Sequence, residues 1–312
     1  MSSRIAAEEA QLISASGEGV TWINIEKATP KQLGYLAQIY SFHPLDLEDC
    51  LSRRQLPKLD EYPDYLFILL HFPVFNKRAK VTQSSQVSIF LGRNYLVTVH
   101  QGDLKPLANM FRACREDEEA RRDYLSRDSG YLLYRIMDIL VDYTFPILNK
   151  VLGNLEDLED KVFDQKVDAV LDVALLRRDI AAQRRIIWGL RGVVSLLETR
   201  VQAFTQEDLS VYFGDVLDHV NRSWSTLEEC KDTIEIYKDT DYLLTQDSIQ
   251  RVMAILTIAI TVMVPFSIVS GIYGMNVPLP GGGGPFTFSM LLLLMLLISG
   301  GMLVYFRRQR WM

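Results

Sequence analysis

Toward its end the chain reads Val252-Met-Ala-Ile-Leu-Thr-Ile-Ala-Ile-Thr-Val-Met-Val-Pro-Phe-Ser-Ile-Val-Ser-Gly-Ile272, then Tyr273-Gly-Met-Asn-Val-Pro-Leu-Pro-Gly-Gly-Gly-Gly-Pro285, then Phe286-Thr-Phe-Ser-Met-Leu-Leu-Leu-Leu-Met-Leu-Leu-Ile-Ser-Gly-Gly-Met-Leu-Val-Tyr-Phe306. None of these 55 residues is charged. An apolar helix needs about 20 residues to cross the hydrocarbon core of a bilayer, so 252–272 and 286–306, of 21 residues each, are each long enough. The Pro- and Gly-rich connection forbids one continuous helix. The alternative, a buried hairpin of a soluble protein, would require two wholly apolar helices on an otherwise polar chain. Arg251 precedes the first segment and Arg307, Arg308 and Arg310 follow the second, while the connection carries no charge. This asymmetry predicts that both ends face the cytoplasm, with the chain in the inner or plasma membrane.

All 39 acidic residues and 29 of the 33 basic ones lie before Arg251. The first 250 residues therefore carry a net charge of −10 and the remainder +4. With 312 residues, 48% of them hydrophobic, the chain can bury a sizeable core, and its composition excludes disorder, collagen-like repeats and small disulfide scaffolds. Its first residues have no apolar stretch of the kind a signal peptide needs, so the large polar part is expected to stay in the cytoplasm. Cys50, Cys114 and Cys230 are odd in number and far apart, which suits a reducing compartment.

Periodicity divides the polar part. Val20–Ile25, Tyr65–Phe72, Gln86–Leu91 and Tyr95–His100 are strand candidates, and Pro30–Tyr40 and Leu45–Leu51 helical ones. Beyond Leu104 strand signals cease, and charged helices with apolar stripes follow, with breaks expected near Asp128-Ser-Gly130, Phe145-Pro146 and Gly189 to Gly192. The expected organisation is an α/β domain over 1–128 and a helical region over 129–205. A long stalk helix over 206–272 continues into the first span. A loop over 273–285, the second span over 286–306 and a basic tail over 307–312 complete the chain. The fold class is thus α+β, a mixed sheet with flanking helices, followed by a very long helix and two membrane helices. At 1.5 Å per residue the helix over 206–272 would reach about 100 Å. Its apolar positions Val216, Val220, Leu227, Ile234 and Tyr237, set among many acids, read as a stalk packed beside copies of itself. The alternative is a long helix laid on its own chain.

Tyr273-Gly-Met-Asn276, closing the first apolar segment two turns after Pro265, resembles the signature of CorA-type divalent cation channels. The resemblance extends to Gly271-Ile-Tyr273 before it, to the basic terminus Tyr305-Phe-Arg-Arg-Gln-Arg-Trp311, and to Tyr212-Phe-Gly-Asp-Val-Leu-Asp-His219 and Tyr95-Leu-Val-Thr-Val-His100. It covers most of the chain. It implies a homopentameric funnel whose five first-span helices line one pore, with Mg²⁺ or a similar divalent ion as substrate and regulator, and no cofactor. It also implies the selectivity motif Gly274, Met275 and Asn276.

Elementary chemistry agrees with such a motif. Mg²⁺ sheds water reluctantly and prefers octahedral oxygen coordination, so a site for the hydrated ion needs acceptors and little fixed charge. Asn276 offers a side-chain carbonyl, and Gly274 brings a backbone carbonyl close without a Cβ. Tyr273 is read as a brace for the turn and Met275 as a packing residue. Counting back along a helix gives the stripe Gly271, Ser267, Val264, Ile260, Thr257, Met253 and Gln250. Its polar members suit hydrogen bonding to a hydrated ion, and its apolar members suit a constriction that gates by dewetting. Ser267 and Thr257 have a second reading, hydroxyls bonded back to their own helix. No Asp, Glu, His, Cys, Lys or Arg lies within either span, which argues against a proton relay or an inner-sphere zinc site there.

One departure from the family pattern stands in 277–286, which lacks the acidic residue that many members carry after the motif. A zinc-transporting branch tends to replace the central Met, so Met275 leans this chain toward magnesium. The resemblance further implies interfacial acids that bind Mg²⁺ and hold the pore shut, with Asp215 in the matching stalk position. Asp218 and His219 share that face and are candidate additional ligands or a solvated surface, and Asp239 is a candidate for the inner mouth. There is no P-loop, no Gly-x-Gly-x-x-Gly after a strand, no Cys-x-x-Cys and no His-Glu-x-x-His. His43, His71, His100 and His219 are scattered, and the basic clusters alternate with acids, so neither an enzyme nor a nucleic-acid partner is indicated. The competing readings are a zinc transporter of the same fold and a membrane-anchored structural or signalling protein that conducts nothing.

Overall fold

The computed structural model describes residues 13–17, 19–52, 55–76, 81–164, 169–275 and 284–309. Its strands β1 (Ile13–Ser16), β2 (Thr21–Glu26), β3 (Lys58–Glu61), β4 (Tyr65–Asn76), β5 (Val81–Gly92) and β6 (Tyr95–His100) form one sheet in the order β1-β2-β6-β5-β4-β3. Only β2 and β6 run parallel; the other neighbours are antiparallel. Strict alternation along β4 sorts its side chains. Leu66, Ile68, Leu70 and Phe72 enter one core, and Tyr65, Phe67 and Leu69 enter the other. The second core lies under helices α1 (Pro30–Ile39) and α2 (Pro44–Leu51), which contribute Leu33, Leu36 and Cys50.

The strands β4 and β5 pair from Tyr65↔Gly92 to Asn76↔Val81, four residues beyond the expected end at Phe72. Pro73 is tolerated because β3 covers β4 only from Leu66 to Leu69, leaving no ladder partner for the missing N–H on that side. The sequence reading missed β1 and β3. Both are four-residue edge strands, and Lys58-Leu-Asp-Glu61 has the charged character that guards a sheet edge and hides it from hydropathy.

The first core is closed by α3 (Lys105–Glu116), α4 (Glu118–Leu125), α5 (Ser129–Asp142), α6 (Thr144–Phe163) and α7 (Val170–Arg200), joined by the start of α8 (Ser210–Tyr273). No division between compact units falls at residue 128. Leu132, Leu133, Ile136 and Val194 share one core with Leu66 and Ile89, and residues through Tyr237 form one compact unit. Lys238 onward forms a second unit, containing the rest of α8 and helix α9 (Pro285–Arg308).

Of the expected breaks, the one near Phe145-Pro146 falls at Tyr143, and the one at Gly189 to Gly192 is absent. Pro146 sits in the first turn of α6, where its missing N–H costs no bond, so the chain turns just before it, at Tyr143. Helix α7 runs straight through Gly189 and Gly192. Gly189 serves close packing instead: a Cβ there would lie 2.6 Å from Pro57 Cγ. The long helix begins at Ser210 rather than 206, after the turn in which Asp208 Oδ1 accepts from the Ser210 N–H at 3.0 Å.

The apolar stripe of α8 is also corrected. Val216, Val220, Leu227, Ile234 and Tyr237, read as a seam between copies, are all buried in their own chain. Val216, Val220 and Leu227 complete the sheet-facing core, while Ile234 and Tyr237 join Val151, Leu155, Leu158, Val173 and Ile180 in a cluster with α6 and α7. A 3.6-residue stripe has no label for which surface it meets, and here α5 to α7 lie beside it. The three cysteines, on α2, α3 and α8, are all buried and free.

Candidate metal centre and membrane segment

Helix α5 is apolar along most of its length, with Leu132, Leu133, Ile136, Met137, Leu140 and Val141 buried, yet it carries Asp138 and Asp142 one turn apart. Helix α8 brings Asp215 and His219, also spaced i, i+4, so each pair shares a face of its helix. Their meeting makes a cluster: ligand atoms of Asp138, Asp215 and His219 all lie within 4.8 Å of one another. Asp142 joins from the side, its Oδ1 3.4 Å from His219 Nδ1. That Nδ1 is buried and has no hydrogen-bond partner among the described residues, and the Phe145 ring packs edge-on against the imidazole with centroids 5.6 Å apart.

Charge is crowded here. Burial first and Asp142 next push the Asp138 carboxyl above the usual carboxylate range, Arg135 and His219 oppose them, and Asp215 adds a smaller upward push. Carboxylates in this arrangement repel until a proton or a cation neutralises them. Two carboxylate oxygens and one imidazole nitrogen leave room for several waters, an arrangement open to Mg²⁺ and to borderline ions that favour nitrogen, such as Co²⁺, Ni²⁺ and Zn²⁺.

Of the acids singled out from sequence, Asp215 belongs to this cluster. Asp218 is exposed and outside it, and Asp239 is exposed and paired with Lys238 at 3.2 Å. Asp138 and Asp142 were missed. Their signal was two acids one turn apart in an otherwise apolar helix.

The membrane segment belongs to the second unit. The end of α8 and the whole of α9 are long and apolar enough to cross a bilayer. Gln250, Met253, Thr257, Ile260, Val264, Ser267 and Gly271 are all exposed along α8. Thr257 Oγ1 donates to the Met253 carbonyl at 2.8 Å and Ser267 Oγ to the Met263 carbonyl at 3.3 Å. Each hydroxyl thereby spends its proton within the helix and keeps its oxygen as an acceptor. The helix ends where Gly274 N–H donates to the Ser270 carbonyl and Met275 N–H to the Ile272 carbonyl. Tyr273 and Met275 are exposed. Asn276 and the loop through 283 lie outside the described residues.

A family model described as CorA-like Mg²⁺ transporter protein matches residues 17–308. The chain belongs to this family. Cobalt/magnesium transport protein CorA of Thermotoga maritima is 30% identical over 296 residues, covering 94% of this chain and 83% of that protein. The zinc transport protein ZntB of an Enterobacter species is 21% identical over 293 residues, covering 93% and 88%. The CorA magnesium transporter from Methanocaldococcus jannaschii has the same fold, with a TM-score of 0.79 at 24% identity over 96% of this chain and 94% of that one. CorA-like proteins are divalent cation transporters of the membrane and not enzymes. The mixed sheet, the long helix and the two terminal apolar helices are the CorA architecture, and the end of α8 and α9 are the two candidate spans.

Proposed function

We propose that this CorA-like protein conducts hydrated divalent cations, with Mg²⁺ as its main cargo and Co²⁺ and Ni²⁺ as companions, through a homopentamer with both termini in the cytoplasm. The family match over residues 17–308 carries the reading. In this reading the Gly274 and Asn276 carbonyls of the selectivity motif Gly274, Met275 and Asn276 supply a ring of acceptors for the hydrated ion, Met275 packs beside them, and the face from Gln250 to Gly271 lines the path below it. Spans without a charged side chain suit an ion that crosses with its water. The cargo has a second reading, zinc, which the ZntB relatives favour and Met275 disfavours.

In this reading the Asp138–Asp215–His219 cluster is the regulatory site. Cytoplasmic Mg²⁺ bound there offsets the repulsion of the carboxylates and holds the closed state, and its loss loosens the contact between α8 and α5 around the cluster. The channel then limits its own uptake.

Flux of Mg²⁺ and Zn²⁺ into liposomes, with and without a pH gradient, tests the cargo. Asn276→Ala should abolish Mg²⁺ uptake while leaving the oligomer's size intact. No flux of Mg²⁺, Co²⁺, Ni²⁺ or Zn²⁺ from the unaltered protein would overturn the reading. Asp215→Ala should raise uptake at high internal Mg²⁺, and unchanged inhibition would remove the regulatory role.

A further inference from the structure

One carboxylate ties the start of α5 to the turn before α8. Asp128 Oδ1 accepts from the Tyr131 N–H at 3.0 Å and caps α5. Its Oδ2 accepts from the Thr205 hydroxyl at 2.5 Å and from the Gln206 N–H at 2.9 Å. The two oxygens thus do separate things. Arg127 pairs with Glu207 at 3.1 Å beside them. A Cβ on Gly130 would stand 2.9 Å from Thr205 Cβ, so the turn lies directly against α5. The wholly buried Ser129 donates to the Gly92 and Arg93 carbonyls and fixes this end on the turn between β5 and β6.

From this clamp the two helices can be read in step. Tyr131 and Tyr134 meet Tyr212 and Phe213, with ring centroids 4.8 to 6.3 Å apart. One turn further come Asp138 and Asp142 opposite Asp215 and His219. Ten residues separate Asp128 from Asp138, and ten separate Thr205 from Asp215. A one-residue slip of α8 would turn Asp215 by about 100° around the helix axis and out of reach of Asp138.

We propose that Asp128 is a positioning residue for the cation cluster: through Thr205 and Gln206 it sets the register of α8 on α5, so that both helices converge on one ion. This rests on the reading of Asp138, Asp215 and His219 as the regulatory site. A capping residue alone would serve α5 and leave cation affinity untouched; the clamp couples the two.

The experiment uses the full chain, in detergent and in liposomes, with Mg²⁺ as the probe. Thr205→Val removes the donor hydroxyl and leaves the Asp128 cap intact, Thr205→Ser restores it, and Asp128→Ser keeps a capping acceptor too short to reach Thr205. The readouts are the Mg²⁺ concentration giving half the maximal rise in unfolding temperature and the internal Mg²⁺ concentration that halves uptake. Thr205→Val and Asp128→Ser should raise both about tenfold, the usual result of removing a group that orients a ligand. Thr205→Ser should match the unaltered protein, as should Thr205→Val uptake when internal Mg²⁺ is absent. Unaltered Mg²⁺ responses in Thr205→Val and Asp128→Ser, beside an Asp215→Asn variant that has lost its response, would overturn the positioning role alone. An Asp215→Asn variant that still responds would overturn the site itself and this role with it.

Discussion

Asp138→Asn should stabilise the protein in the absence of divalent cations and weaken its response to them. The ligand atoms of the cluster lie within 4.8 Å of one another. At that separation two unit charges repel by about 0.9 kcal/mol in water and about 3.5 kcal/mol at an effective dielectric constant of 20. Asp215 is exposed, so screening places the repulsion near the lower figure, at about 1 kcal/mol. Removing the Asp138 charge should therefore raise the unfolding temperature in chelator by about 2–4 °C for a unit of this size. Mg²⁺ reverses the order. At ten times its dissociation constant an ion stabilises by about 1.4 kcal/mol, and a tenfold loss of affinity cuts this to about 0.4 kcal/mol.

The pH dependence has a definite sign. Because the Asp138 carboxyl is held above the usual carboxylate range, its repulsion is present above that raised value and vanishes as protonation neutralises the wild type. The advantage of the variant in chelator should shrink as pH falls through that window. The assay is thermal unfolding in chelator and over a Mg²⁺ series at two pH values. A variant no more stable than the wild type in chelator, or one whose unfolding temperature climbs with Mg²⁺ as the wild type's does, refutes the electrostatic account.

His219→Ala should weaken the stabilisation by Co²⁺ or Zn²⁺ more than that by Mg²⁺, since the imidazole favours borderline ions; equal losses in parallel titrations would exclude nitrogen ligation. Burial holds both His71 and His100 below the ordinary imidazole range. The unfolded chain therefore takes up protons first, and stability, fully present at pH 7.5, should fall below pH of about 6.5 by at most about 1.4 kcal/mol per pH unit for each histidine. Denaturant titrations at pH 7.5 and 5.5 check this, and a flat profile contradicts it. Gly189→Ala should cost about 1–3 kcal/mol, because the added methyl meets Pro57; an unchanged denaturation midpoint would mean that the loop carrying Pro57 yields freely.

The two apolar helices and the central strands were legible because their composition is one-sided: the helices carry no charge over a span's length, and the strands are buried on both faces. An uncharged run such as Val252–Phe306 or an apolar one such as Tyr65–Phe72 has no other satisfactory surroundings. The edges were not: Lys58–Glu61 looks like any charged loop until β4 is there to pair with it. The stalk showed the opposite failure. Its periodicity was plain, but the apolar face of α8 was assigned to neighbouring copies when it belongs to α5–α7, since amphipathicity specifies a burial partner's chemistry and not its address. The cluster shows both sides. Asp215 was legible through family resemblance, whereas Asp138 lies 77 positions earlier in the sequence, and only the packing of α5 on α8 brings the two together. Asp128 and Thr205, equally far apart, were hidden for the same reason.

The burial of all three cysteines has a practical side. Burial pushes the Cys50 thiol up to about 12 and the Cys114 thiol up to about 11, and raises that of Cys230 as well. Burial and the raised thiol pKa both disfavour the accessible thiolate that maleimide or methanethiosulfonate reagents attack. The native protein is thus a ready background for spectroscopic labelling. A single cysteine introduced at an exposed position such as Ser225 on α8 or Glu119 on α4 would be the one site to react, and distances between such labels could follow α8 as Mg²⁺ is added or withdrawn.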